Sequence, residues 1–135
     1  MIQRYVVAVV GSSPQSAQDW CRVVATTGAL PMLKELGTPA IIGADAWVVV
    51  LDHWQAPMTH GFWLRTLRAP IVLITPHTLA AQALVPLVSH LKVITPPSRA
   101  LHELADMLML ALAGTAGTLV VPIQGFMPYS PGARA

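Results

Sequence analysis

Ala46-Trp47-Val48-Val49-Val50-Leu51, closed by Asp52, is the stretch on which the reading of the fold turns. Six apolar residues in a row, rich in β-branched valine, suit a strand buried on both faces, as in a parallel sheet covered by helices. Upstream, Tyr5-Val6-Val7-Ala8-Val9-Val10 has the same character and ends at Gly11-Ser12-Ser13-Pro14. Ser13 is placed to cap a helix whose first turn Pro14 presets. Ala17, Trp20, Val24 and Thr27 then recur at helical spacing, and Gly28 supplies the stop. Leu30 to Leu36 reads as a weaker strand, and Thr38 to Ala44 as a turn or stunted helix.

Downstream of Asp52, a loop through Pro57 leads to a short helix around Gly61 to Leu67. Pro70-Ile71-Val72-Leu73-Ile74-Thr75 is a further buried strand. Thr78 to His90 has helical character that Pro86 should kink or restart. Leu91-Lys92-Val93-Ile94 is the last strand of the alternation. Ser98, after Pro96-Pro97, is expected to cap a helix running to Ala113. Strands alternating with helices imply βαβ units and a parallel sheet. Five of them give an α/β, doubly wound, flavodoxin-like sheet of order 2-1-3-4-5. The expected division is an α/β domain over 1–113 and a Gly/Pro-rich, extended tail over 114–135.

Composition narrows the function classes. Of 135 residues, 54% are hydrophobic and 10% charged, against roughly a quarter charged in an average domain. So few charges leave apolar surface for a partner. The net charge of +2 comes from scattered basic residues, which argues against a nucleic-acid groove. One cysteine, Cys21, excludes an internal disulfide framework and fits a reducing cytoplasm. The uncharged run Met107 to Ile123 is broken by Gly114, Gly117 and Pro122, so a membrane span is not expected.

Chemistry in an open parallel sheet collects beyond the carboxyl ends of its strands. That edge holds Gly11-Ser12-Ser13, Asp52-His53, Thr75-Pro76-His77 and Thr95-Pro96-Pro97. Over roughly residues 4 to 113 the pattern resembles the receiver domains of response regulators. Leu51-Asp52 with its Pro-containing loop and Gly61 looks like the segment bearing the phospho-accepting aspartate. Leu73-Ile74-Thr75 is similar to the strand ending in the switch hydroxyl, and Val93-Ile94-Thr95-Pro96-Pro97 to the final strand with its Lys-Pro pair. The resemblance implies that Asp52 matches the acceptor and Thr75 the switch.

It also implies what is missing. Receivers hold Mg²⁺ with two acidic residues after the first strand, where this chain has Gly11 and Ser12. A hard cation wants carboxylate oxygens, and the receiver lysine falls here at Pro96. Phosphoryl chemistry is mostly charge stabilisation, so these losses point to a degenerate pseudo-receiver with no catalytic residues, cofactor or metal. The expected function is a stand-alone, phosphorylation-independent adaptor in bacterial signalling.

Other readings of the same residues stay open. Asp52 serves equally as a loop cap, and Thr75 as a strand-end hydroxyl bonded locally. Gly11, Ser12 and Ser13 at a helix start offer amides to an anion or nucleotide, though without P-loop spacing. Asp52, His53, His60 and His77 lack metal-ligand spacing. Cys21, inside the first helix, is a weak nucleophile candidate, and no enzyme site assembles. The last helix is apolar around most of its circumference. It is either buried under the tail or presents Met109 and Leu112 to another chain. In the tail, Leu119-Val120-Val121-Pro122-Ile123 has strand character, and Phe126 and Tyr129 are side chains of the kind that anchor segments in grooves. The tail is therefore expected to dock in an extended form across a neighbouring subunit or on another protein. A protein partner, with self-association, is the expectation.

Overall fold

A computed structural model describes residues 5–35, 37, 43–52, 57–114 and 117–121, with 57–60 described by backbone alone. Its strands are β1 (Val6–Gly11), β2 (Leu30–Leu33), β3 (Ala46–Val50), β4 (Ile71–Ile74), β5 (Leu91–Thr95) and β6 (Leu119–Val120). The helices are α1 (Pro14–Thr26), α2 (Pro57–Leu64), α3 (Thr78–Ala81) and α4 (Pro97–Leu112), with a 3₁₀ turn at Gln82–Leu84. The strands form one parallel sheet of order β2-β1-β3-β4-β5-β6.

Valine runs form the sheet's centre because both faces are covered. Val9, Val48, Val72 and Val93 stand side by side across four strands. They pack with Trp20 and Val24 of α1 and with Leu104, Met107 and Leu108 of α4. Their chain neighbours point the other way: Val10, Val49, Leu73 and Ile94 meet Leu64, Ala81 and Leu84 beneath α2, α3 and the 3₁₀ turn. Alternation along each strand therefore makes two apolar cores, one per face. The sheet reverses its direction of growth between β1 and β3, so the ends of these two strands define the crevice.

Local signals explain the first helix. Ser13 Oγ accepts from the Ser16 amide at 3.2 Å, Pro14 takes the first helical position, and Gly28 (φ 94°) ends the segment. Other segments differ from the sequence expectation. β2 stops at Leu33, three residues before Leu36. α2 spans Pro57–Leu64, earlier than Gly61 to Leu67. The helix expected over Thr78 to His90 is one turn of α-helix followed by the 3₁₀ turn. Pro86 has no amide, and its ring would clash with the Gln82 carbonyl in a continuous helix; that carbonyl accepts instead from the Val85 amide at 3.1 Å.

Ser98 does not cap α4. Pro97 occupies the first position, Pro96 precedes it, and no side chain caps the end. A proline fits there because its fixed φ is helical and its missing amide would have been unpaired in any case. The largest difference lies at Leu119–Val120, expected in a separate tail. These residues extend the sheet as β6, parallel to β5, and the Val121 amide donates to the Ile94 carbonyl at 2.8 Å. β5, α4 and β6 make one more βαβ unit, so the domain runs past 113 to at least Val121.

Candidate functional site

The crevice between the carboxyl ends of β1 and β3 is shaped first by Gly11. A Cβ there would lie 3.0 Å from the Ala17 nitrogen and 3.2 Å from its Cα and Cβ. Only glycine lets the first turn of α1 sit this close to the strand. The Ser12 amide then donates to the Val50 carbonyl at 3.0 Å, carrying the loop across to β3.

Ser12 and Asp52 close a two-way latch. Ser12 Oγ donates to Asp52 Oδ2 at 3.1 Å and accepts the Asp52 amide at 3.2 Å. One hydroxyl thus ties one carboxylate oxygen and the backbone of the same residue, across 40 residues of chain. Asp52 is half-buried and Ser12 exposed.

On the neighbouring strand Thr75 is fully buried. Its amide donates to the Thr95 carbonyl at 2.9 Å, and its Oγ1 accepts the His77 amide at 3.2 Å. Thr75 and Asp52 share the sheet edge, since the Leu51 amide donates to the Ile74 carbonyl, but no hydrogen bond joins them among the described residues. Thr95 Oγ1 donates to the Pro96 carbonyl at 3.2 Å. Pro96, directly after β5, is buried.

A cleft of about 380 Å³ opens on the other side of the Gly11 loop. Gly11, Ser12 and Ser13 form one wall, and Leu33, Lys34 and Glu35 the other. Lys34 is placed there by its amide, which donates to the Val9 carbonyl at 2.9 Å and holds the chain beside β1. In the sequence Lys34 falls inside the weak strand Leu30 to Leu36; the signal for it is its place as the first charged residue after the apolar run that forms β2.

The remaining candidates lie apart. Met109 is 49% exposed on α4, whereas Leu112 is half-buried and packs against the core under that helix. Phe126, Tyr129 and His53 lie outside the described residues, as does the side chain of His60, and His77 is exposed. Among the described residues, no three His, Cys, Asp or Glu side chains gather to hold a metal. Cys21 is half-buried on α1, and burial pushes its thiol pKa up, away from the reactive thiolate. No helix among the described residues is long and apolar enough to cross a membrane.

No family model matches the chain, and neither a curated protein nor a solved structure matches it. At the crevice the chemistry is a latched carboxylate, two locally bonded threonines and a buried proline. Beside it is a cleft lined by one lysine and one glutamate.

Proposed function

We propose that the chain is a flavodoxin-like pseudo-receiver that works by binding protein, independently of phosphorylation. The observation that carries this reading is the Ser12–Asp52 latch. In a working acceptor site the carboxylate oxygens face a metal and an incoming phosphoryl group. Here one oxygen is engaged by the residue standing where the metal-binding carboxylate would be. Exposed apolar side chains on α4 supply the surface for a partner: Leu101, Met109 and Leu110 are 55%, 49% and 43% exposed.

Two expected results test the reading. Incubation with acetyl phosphate and Mg²⁺ should leave the intact mass unchanged, and a stable adduct lost in Asp52→Ala would overturn it. The protein should also self-associate through α4, so that Met109→Glu with Leu110→Glu lowers the light-scattering mass while circular dichroism is unchanged. A wild type that stays monomeric at high concentration would count against this face.

A second reading is favoured by the cleft, where Lys34 faces the Gly11-Ser12-Ser13 loop. Backbone amides at a helix start together with a lysine suit a small anion. The site would then be a metal-independent sensor for a phosphate-bearing ligand. Calorimetric binding of ATP that is lost in Lys34→Ala would select it over the adaptor reading.

A further inference from the structure

The opposite layer of the sheet carries a second apolar feature. Gly61 is buried in α2, and a Cβ on it would stand 3.1 Å from Leu84 Cδ2. This close approach of α2 to the 3₁₀ turn forms the floor of a groove of about 230 Å³, lined by Gly61, Phe62, Arg65, Leu84 and Leu87. Its walls face solvent, with Phe62 62% exposed and Leu87 46%. An apolar cavity of about 150 Å³ accepts a benzene ring, so the groove has the capacity for one aromatic side chain.

Charge distinguishes this groove from an ordinary apolar dimple. Arg65 sits at its rim, one turn beyond Gly61, whose carbonyl accepts the Arg65 amide at 3.1 Å. Arg65 and Arg68 are both exposed, and neither forms an ion pair among the described residues. From His53 to His102 the sequence contains no aspartate and no glutamate. An apolar slot is therefore bordered by positive charge that this stretch of chain does not answer. A guanidinium presents its donors in a fork that matches a carboxylate, and aromatic anchors beside arginine dominate the energetics of many protein interfaces.

We propose that this groove docks an acidic segment of another protein, which inserts one aromatic side chain between Phe62 and Leu87 and pairs an adjacent carboxylate with Arg65. The inference rests on the protein-recognition reading above and adds a contact on the layer of the sheet opposite α4. The concave, single-residue depth favours a peptide segment over a flat lipid surface.

The test is fluorescence anisotropy on the full chain with a fluorescein-labelled octapeptide, a central tryptophan flanked by aspartates and glutamates. Saturable binding is expected. Leu87→Glu should weaken it by about tenfold or more, and so should alanine in place of the peptide's tryptophan. Arg65→Glu should weaken it at low salt, with the difference shrinking as ionic strength rises. Both protein variants alter exposed side chains, and circular dichroism confirms their folding. Met109→Glu with Leu110→Glu should bind the peptide as the wild type does. Failure of the peptide to saturate, or equal affinity of wild type and Leu87→Glu, would overturn the groove assignment. Preference for phosphatidylserine vesicles over the peptide would overturn it too, assigning the face to lipid. If α4-dependent assembly survives such a failure, only the groove falls; if both fail, the adaptor reading falls with it.

Discussion

Trp47→Ala should lower the unfolding free energy by about 4 kcal/mol, within the usual cost of emptying a buried aromatic site. Trp47 is 2% exposed at the centre of the sheet, between Ala8 of β1 and Ile71 of β4. Its ring meets Trp63 of α2 edge-to-face, with centroids 5.6 Å apart and planes at 86°. Edge-to-face pairs add about 0.5–1.5 kcal/mol to the burial of area, so the substitution removes both a space-filling side chain and an oriented contact. Domains of this kind are stable by about 5–15 kcal/mol in total, so the variant should approach its unfolding midpoint in mild urea. Urea titration followed by circular dichroism measures the loss. A loss below about 1.5 kcal/mol would mean that α2 collapses into the vacated space, and that this layer is held less firmly than the ring geometry implies.

The second large effect is expected at Gly11. Gly11→Ala brings a methyl group to 3.0 Å from the Ala17 nitrogen. The obstacle is helix backbone, which has no rotamer to change, so α1 must move away from β1. Overpacking costs about 1–3 kcal/mol, and displacement of the Ser13 cap adds about 1 kcal/mol. A loss near 3 kcal/mol is the expected result. Gly43→Ala is the control: a Cβ there meets nothing within 4 Å, and a surface change of that kind stays within about 0.5 kcal/mol. Equal melting temperatures for the two variants would show that the β1–α1 junction is looser than its distances indicate.

The sheet's inner strands were legible because burial on both faces leaves an uninterrupted apolar run, as in Val6–Val10 and Ala46–Val50. The first helix was legible through a cap and a stop, Ser13 and Gly28. Elements whose identity depends on tertiary neighbours were harder to read. The strand character of Leu119 to Ile123 was legible, but its place beside β5 was not, because that depends on the ladder β5 offers. Ser98 has the right chemistry for a cap, but the two prolines before it already set the start of α4. At the site, Asp52 and the Gly11 loop were found on the sheet edge as the strand pattern required. The latch between them joins residues 40 apart in sequence, and no spacing rule reports such a contact. The groove at Phe62 was missed for the same reason, since Gly61 and Leu84 come together only when two crossover segments pack side by side.

The sixth strand also bears on how the protein survives at high concentration. An open sheet edge invites another chain to continue the ladder, which is the route to fibres and insoluble assemblies. β6 covers β5, and what it leaves outward is short: Val121 donates inward, to Ile94, so by the alternation of a parallel strand Val120 is the amide turned out. At the far edge Leu30 and Lys34 donate inward to Tyr5 and Val9, which turns out Pro31 and Leu33, and a proline has no hydrogen to give. Among the described residues, each margin of a strongly apolar sheet thus turns out a single strand amide, too few to template stacking. A chain cut before Leu119 would bare all five residues of β5, and its hazard would be colloidal before it was thermodynamic.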